Sequence, residues 1–177
     1  MQDDAQGRFA ASVLPHLDAA YNLARWLVRD AHDAQDVVQD ALVRALRHFD
    51  GFRGGDPRPW LLAIVRNAAF AWLGARRPGE VDVPDDELDA ALSVGAPPAD
   101  PETLAIRRAE RREIDAAIAA LPIAFREAVV LRELEELSYR DIARITDVPI
   151  GTVMSRLSRG RNLLADALRS QATRALS

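Results

Sequence analysis

From Pro78 to Thr103 the chain carries eight acids and no basic residue, in the run "PGEVDVPDDELDAALSVGAPPADPET", which has little apolar periodicity. A stretch so rich in Pro, Asp and Glu cannot bury enough apolar surface to fold on its own and reads as a linker. It leaves two pieces, residues 1–77 and 104–177. Each is long enough for one small domain with a single core, so the chain is constrained to two small domains on an acidic tether.

The linker also explains the charge. Residues 1–77 hold 10 Arg and 9 acids and residues 104–177 hold 13 Arg and 10 acids, so both flanks are mildly basic although the whole chain is at -4. The net charge therefore does not exclude a polyanionic partner. The absence of cysteine excludes a disulfide framework and cysteine-ligated zinc, and fits a reducing compartment. His16, His32 and His48 have no metal-ligand spacing, and no cofactor or metal is expected. Apolar runs such as "WLLAIV" fall far short of the roughly 20 residues that span a bilayer, and the amino terminus has no apolar signal segment. The expectation is a cytoplasmic protein without direct membrane insertion. No paired carboxylates, nucleophile–base set or glycine-rich phosphate loop is visible, which argues against an enzyme.

The first piece reads as three helices. Leu17, Tyr21, Ala24 and Val28 fall at helical spacing; Asp33 opens a second helix with a stripe at Val38, Leu42, Ala45 and Phe49. After the loop "GFRGGDP", Pro59 starts a third with Leu61, Val65, Ala68 and Trp72 inward. Asp36, Gln39, Asp40 and Arg44 are left on the outer side of the second helix, where a solvated face is the simpler account. Phe52, Arg53, Trp60, Arg66 and Asn67 bring aromatics, guanidinium groups and an amide together. Such a set can stack on an unpaired base at about 1–3 kcal/mol per base, although core packing accounts for Phe52 and Trp60 equally simply.

The second piece carries "LSYRDIARITDVPIGTVMSRLSRGRNLL". Ser138 and Asp141 form a capping-box pattern opening a short helix from Tyr139 to Ile145, with Ile142 and Ala143 inward. "TDVP" is a turn. Pro149 and Gly151 mark the entry to a longer helix with an inner stripe at Val153, Leu157, Gly160, Leu164 and Leu168. This is the helix-turn-helix pattern. Thr152, Ser155, Arg159 and Asn162 share the opposite face and carry groups that read base edges in the major groove. Arg132, Arg156 and Arg161 stand where they can reach phosphates or neighbouring carboxylates. As a set on a helix-turn-helix, these residues are better explained by DNA reading than by surface ion pairs.

Together the two pieces resemble an extracytoplasmic-function (ECF) RNA polymerase sigma factor of the sigma-70 family. "DAQDVVQDALVRALRHFDGFRGGDPRPWLLAIVRNAAFAWL" resembles its sigma2 domain, and "ALPIAFREAVVLRELEELSYRDIARITDVPIGTVMSRLSRGRNLL" its sigma4 domain. The resemblance implies an all-α fold: a sigma2-like bundle over 1–77, a flexible linker over 78–103 and a sigma4-like helix-turn-helix domain over 104–177. It implies a transcription initiation factor that directs core RNA polymerase to specific promoters and aids their melting. Its partners would be the beta-prime clamp helices, the beta flap, promoter DNA and a cognate anti-sigma factor. Asp36, Gln39, Asp40 and Arg44 would dock on the polymerase. Phe52, Arg53, Trp60, Arg66, Asn67, Arg76 and Arg77 would serve the -10 element, and Arg132, Thr152, Ser155, Arg156 and Arg159 the -35 element. Met154, Ser158, Ala71 and Gly74 depart from residues common in the family. Two other readings stand beside this one. A sigma-like decoy would be expected to have a degraded DNA face, and a polymerase-independent regulator would not need the "DAQDVVQDAL" segment.

Overall fold

The computed structural model describes residues 2–76 and 100–175, and every regular element among them is helical. Four helices make the first domain: α1 (Gln2–Val13), α2 (Leu17–Val28), α3 (Ala31–His48) and α4 (Pro57–Ala75). The second is built from α5 (Pro101–Ala119), α6 (Ile123–Val129), α7 (Tyr139–Thr146) and α8 (Ile150–Ala175). Most of the tether, and Arg77 with it, lies outside the described residues.

In the first domain α2, α3 and α4 pack on one another. The α2 stripe includes Ala24 and Val28 as expected, but Ala20, Leu23, Trp26 and Leu27 are buried too, so the helix is enclosed on several sides. On α3 the buried residues are Ala34, Val37, Ala41 and Ala45, and the expected Val38, Leu42 and Phe49 are only half-buried. Alanines at 34, 41 and 45 let the neighbouring backbones come close, and the larger side chains then pack at the flanks. Two starts also differ from expectation. Asp30, not Asp33, caps α3, its Oδ1 accepting from the Asp33 amide at 2.9 Å. Asp56 caps α4 by accepting from the Arg58 amide at 3.0 Å, so that helix begins at Pro57 rather than Pro59.

The α3–α4 loop turns on Gly54 and Gly55, at φ +86° and +93°, a region in which a side chain is strained. The second domain opens on Asp100, whose carboxylate accepts from both the amide and the hydroxyl of Thr103. Those bonds hold the Asp100 carboxyl below its ordinary pKa, so the cap is complete above the usual carboxylate range and is lost as pH falls through the lowered value.

The helix-turn-helix forms as the capping box requires. The Asp141 amide donates to Ser138 Oγ at 3.1 Å, and the Ser138 hydroxyl donates to Asp141 Oδ2 at 2.8 Å. Thr146 still belongs to α7, its hydroxyl donating to the Ile142 carbonyl at 2.7 Å, so the turn is shorter than "TDVP". Asp147 breaks the helix at φ +53°, in the left-handed region. Val153 and Leu157 are buried on α8, whereas Leu164 and Leu168 are half-buried because the end of the helix runs past its neighbours.

The two domains pack on each other, α7 against α4 and α6 against α2. Arg126, buried on α6, donates to the Trp26 carbonyl at 2.9 Å and to the Leu121 carbonyl at 3.0 Å.

Candidate nucleic-acid interface

On α3, Asp36, Gln39, Asp40 and Arg44 are all exposed. Asp40 pairs with Arg44 at 2.8 Å, and Val43 and Leu46 are exposed on the same helix. An exposed pair with this spacing contributes only about 0.3–0.5 kcal/mol, so it sets side-chain orientation more than stability.

At the other end of α3 the aromatic residues form one cluster. Phe52 and Trp60 lie 5.0 Å apart between ring centroids, Phe49 stacks on Phe52 at 6.0 Å, and Phe9 meets Phe49 edge-on at 5.3 Å. Phe52 and Trp60 are half-buried, so each packs into the cluster while part of its side chain reaches solvent. Arg53, next to Phe52 in the loop, is exposed and meets no carboxylate among the described residues, and Asn67 is exposed about two turns beyond Trp60 on α4.

Arg66 points elsewhere. Its Nε and Nη2 donate to the two carboxylate oxygens of Glu127 on α6, at 3.0 and 3.2 Å, and its guanidinium lies 4.2 Å over the Phe70 ring. Arg156, from α8, reaches the same carboxylate at 3.6 Å. Arg58 bonds Glu135 across the domain boundary at 2.6 Å, with Glu135 buried. Arg76 pairs with Asp33 at 3.3 Å.

In the second domain, Arg132 donates to the Leu137 carbonyl at 2.8 Å and lies over the Tyr139 ring, holding the entry to α7. Ser155 and Arg159 are exposed on α8, Thr152 is half-buried beside them, and the Ser155 hydroxyl donates back to the Thr152 carbonyl at 3.0 Å. Arg161 bonds Glu133 at 2.8 Å, which raises its pKa and ties α8 to the segment before α7. Arg159 has no carboxylate partner among the described residues, so its guanidinium stands free at the outer face of the second helix of a helix-turn-helix.

This architecture agrees with sequence comparison. Residues 13–77 match the family model "Sigma-70 region 2" and residues 111–164 match "Sigma-70, region 4". The chain is 41% identical to the ECF RNA polymerase sigma-E factor of Escherichia coli K12 over 137 residues, which are 75% of this chain and 72% of that one. The chain belongs to the ECF sigma factors. Another relative of this ECF sigma factor is SigE of Mycolicibacterium smegmatis, 34% identical over 88% of this chain and 60% of that one. The sigma factor RpoE of Bartonella quintana, solved in complex with the anti-sigma factor NepR, is similar in structure. The TM-score is 0.71 at 29% identity, covering 92% of this chain and 97% of that one. As a sigma factor the protein serves transcription initiation, and its partners are core RNA polymerase and promoter DNA. Among the described residues no helix is long and apolar enough to cross a membrane.

The arrangement thus separates the expected DNA residues. Thr152, Ser155 and Arg159 share one open face, Phe52, Arg53 and Trp60 lie at the α3–α4 loop, and Asn67 is exposed about two turns further along α4 than Trp60. Arg66 and Arg156 meet between the domains on Glu127. Sequence reading missed Glu127, Glu135, Arg58 and Arg126. One signal for the first was available: "EAVVL", Glu127 to Leu131, is apolar on every side but one, and such a helix is enclosed on all sides, which gives its acid an internal partner.

Proposed function

We propose that this ECF sigma factor docks core polymerase through the α3 face and recognises a two-part promoter with its two domains. Asp36, Gln39, Asp40 and Arg44 meet the beta-prime clamp helices, and the second domain meets the beta flap. Arg53 and Asn67, with the half-buried Phe52 and Trp60 and the basic residues Arg66, Arg76 and Arg77, hold the -10 element as it opens. Thr152, Ser155 and Arg159 read the -35 element, while Arg132 and Arg156 hold the helix-turn-helix in register and neutralise phosphates. The observation that carries this reading is the free Arg159 guanidinium beside Thr152 and Ser155 on the outer face of α8. A guanidinium fork there matches the acceptor pair of guanine.

In the packed arrangement Arg66 and Arg156 are engaged by Glu127, so DNA contact through either requires Glu127 to release it. By analogy with the Bartonella neighbour, which was solved with an anti-sigma factor, a protein inhibitor of that class holds this chain inactive in the cell. The proposal places the protein in the cytoplasm, gives it no catalysis of its own and assigns it no cofactor.

Run-off transcription with purified bacterial core polymerase and DNA from upstream of the protein's own gene tests the reading. A discrete transcript that depends on this protein is expected; neither transcript nor complex with core on gel filtration would refute it. Arg159→Ala is expected to weaken binding to the upstream element by about 1–3 kcal/mol while leaving scrambled DNA unaffected, which footprinting on the two DNAs compares. Asp40→Ala is expected to lower affinity for core polymerase several-fold with the circular dichroism spectrum unchanged. An unaltered affinity in a fluorescence titration would remove α3 from the docking surface.

A further inference from the structure

The reading end of α8 carries two side chains that its polar neighbours do not explain. Met154 is 54% exposed and Ile150 45% exposed, although α8 already buries Val153 and Leu157 on its inner side. Residues four apart on a helix are rotated by about 40°, so Ile150 and Met154 make one short apolar strip, and Ser158 continues it one turn on. Ser155 and Arg159 are also exposed, about 100° and 140° further round the helix from Met154. The strip is two side chains long, and the exposed hydroxyl residues Ser158 and Ser155 follow it round the helix toward Arg159. It sits at the amino-terminal end of the second helix of a helix-turn-helix, the end whose side chains meet base edges. In the major groove every base edge offers hydrogen-bonding atoms, and thymine alone adds an apolar group, its C5-methyl.

We propose that Met154, with Ile150 beside it, is a specificity-determining residue that reads thymine methyl groups in the upstream promoter element, next to the pair addressed by Arg159. The occupant of the strip is therefore one thymine, or two adjacent ones, facing the first turn of α8. The thioether suits this task, because an unbranched polarisable side chain can settle on a methyl group without a fixed rotamer. The inference rests on α8 lying in the major groove, as proposed above.

The test uses the full-length protein bound to core polymerase on the promoter that run-off transcription identifies. Each thymine of the upstream element, on both strands, is replaced in turn by deoxyuridine, which removes the methyl group and leaves the hydrogen-bonding edge intact. At one position or two adjacent ones, affinity is expected to fall about fourfold, the worth of one buried carbon group. Met154→Ala is expected to show a similar loss on thymine DNA and no additional loss on the uracil DNA, with thermal stability unchanged because the side chain is exposed. Insensitivity to uracil at every position, an undiminished uracil penalty in Met154→Ala, or an upstream element without thymine would overturn the assignment. So would a loss of core affinity by Met154→Ala without DNA, which would assign the strip to a protein contact. Arg159→Ala separates the two levels. If it weakens specific binding while uracil has no effect, only the methyl reading fails. If it changes neither specific nor scrambled DNA, the placement of α8 in the groove fails as well.

Discussion

Glu127→Ala is expected to destabilise the protein by about 3–5 kcal/mol, the usual cost of removing one partner from a buried charge cluster. The carboxylate is 1% exposed and both of its oxygens are engaged, by Arg66 at 3.0 and 3.2 Å and by Arg156 at 3.6 Å. Alanine leaves two guanidinium groups facing a low-dielectric gap without a counter-charge. Both arginines retain some solvent contact and can turn partly outward, which puts the expected value toward the lower end. Chemical denaturation followed by circular dichroism measures it, and a change below about 1 kcal/mol would mean that the cluster is not formed in solution. The same substitution has a second, opposite consequence. It frees Arg66 and Arg156 for phosphate, so affinity of the isolated protein for promoter DNA is expected to rise as its stability falls. Glu127→Gln is expected to retain more stability, because the amide oxygen still accepts a hydrogen bond, and to release the arginines only in part.

The contrast between Glu127 and the helix-turn-helix shows which parts of the structure were legible in the sequence. Ser138 and Asp141 lie three residues apart and settle their helix start between themselves, so the capping box could be read directly and formed as expected. Asp147 and Pro149 end one helix and admit the next by local backbone geometry, and the α8 face followed from 100° per residue alone. Features that depend on a partner helix were read less well. On α3 the large residues Val38 and Leu42 suggested the buried stripe, but a stripe of small residues packs closer and wins the core. By sequence Arg66 groups with Phe52, Arg53, Trp60 and Asn67 as a set that can hold an unpaired base. It becomes internal only when the second domain brings Glu127 against it, an event 61 residues away in sequence. Hydrophobic periodicity records which side of a helix is apolar and is silent about ion pairs that form when two domains meet.

Gly160→Val is expected to destabilise the second domain by forcing α8 away from α6. A Cβ at Gly160 would lie 2.8 Å from the Val129 Cγ2 and 3.5 Å from the Phe125 Cβ, so α8 and α6 touch here through the absence of a side chain. Val129 is 1% exposed and β-branched, with one strongly preferred helical rotamer, and cannot swing aside at small cost. Gly160→Ala meets the same contact but gains about 1 kcal/mol of helix propensity, and these two effects partly cancel. Valine gains less propensity and adds two methyl groups to the clash, so a loss of about 1–3 kcal/mol is expected, read as a fall in melting temperature of roughly 4–8 °C per kcal/mol for a domain of this size. The consequence extends to DNA. Thr152, Ser155 and Arg159 lie within two and a half turns of Gly160 on the same continuous helix, so pushing α8 off α6 re-aims all three together. Gly160→Val is therefore expected to weaken specific and scrambled DNA unequally even at temperatures where it is folded, with the larger loss on the specific site. Equal affinities for the specific site in the wild type and in Gly160→Val, at a temperature well below both melting points, would show that the α6–α8 contact sets stability alone.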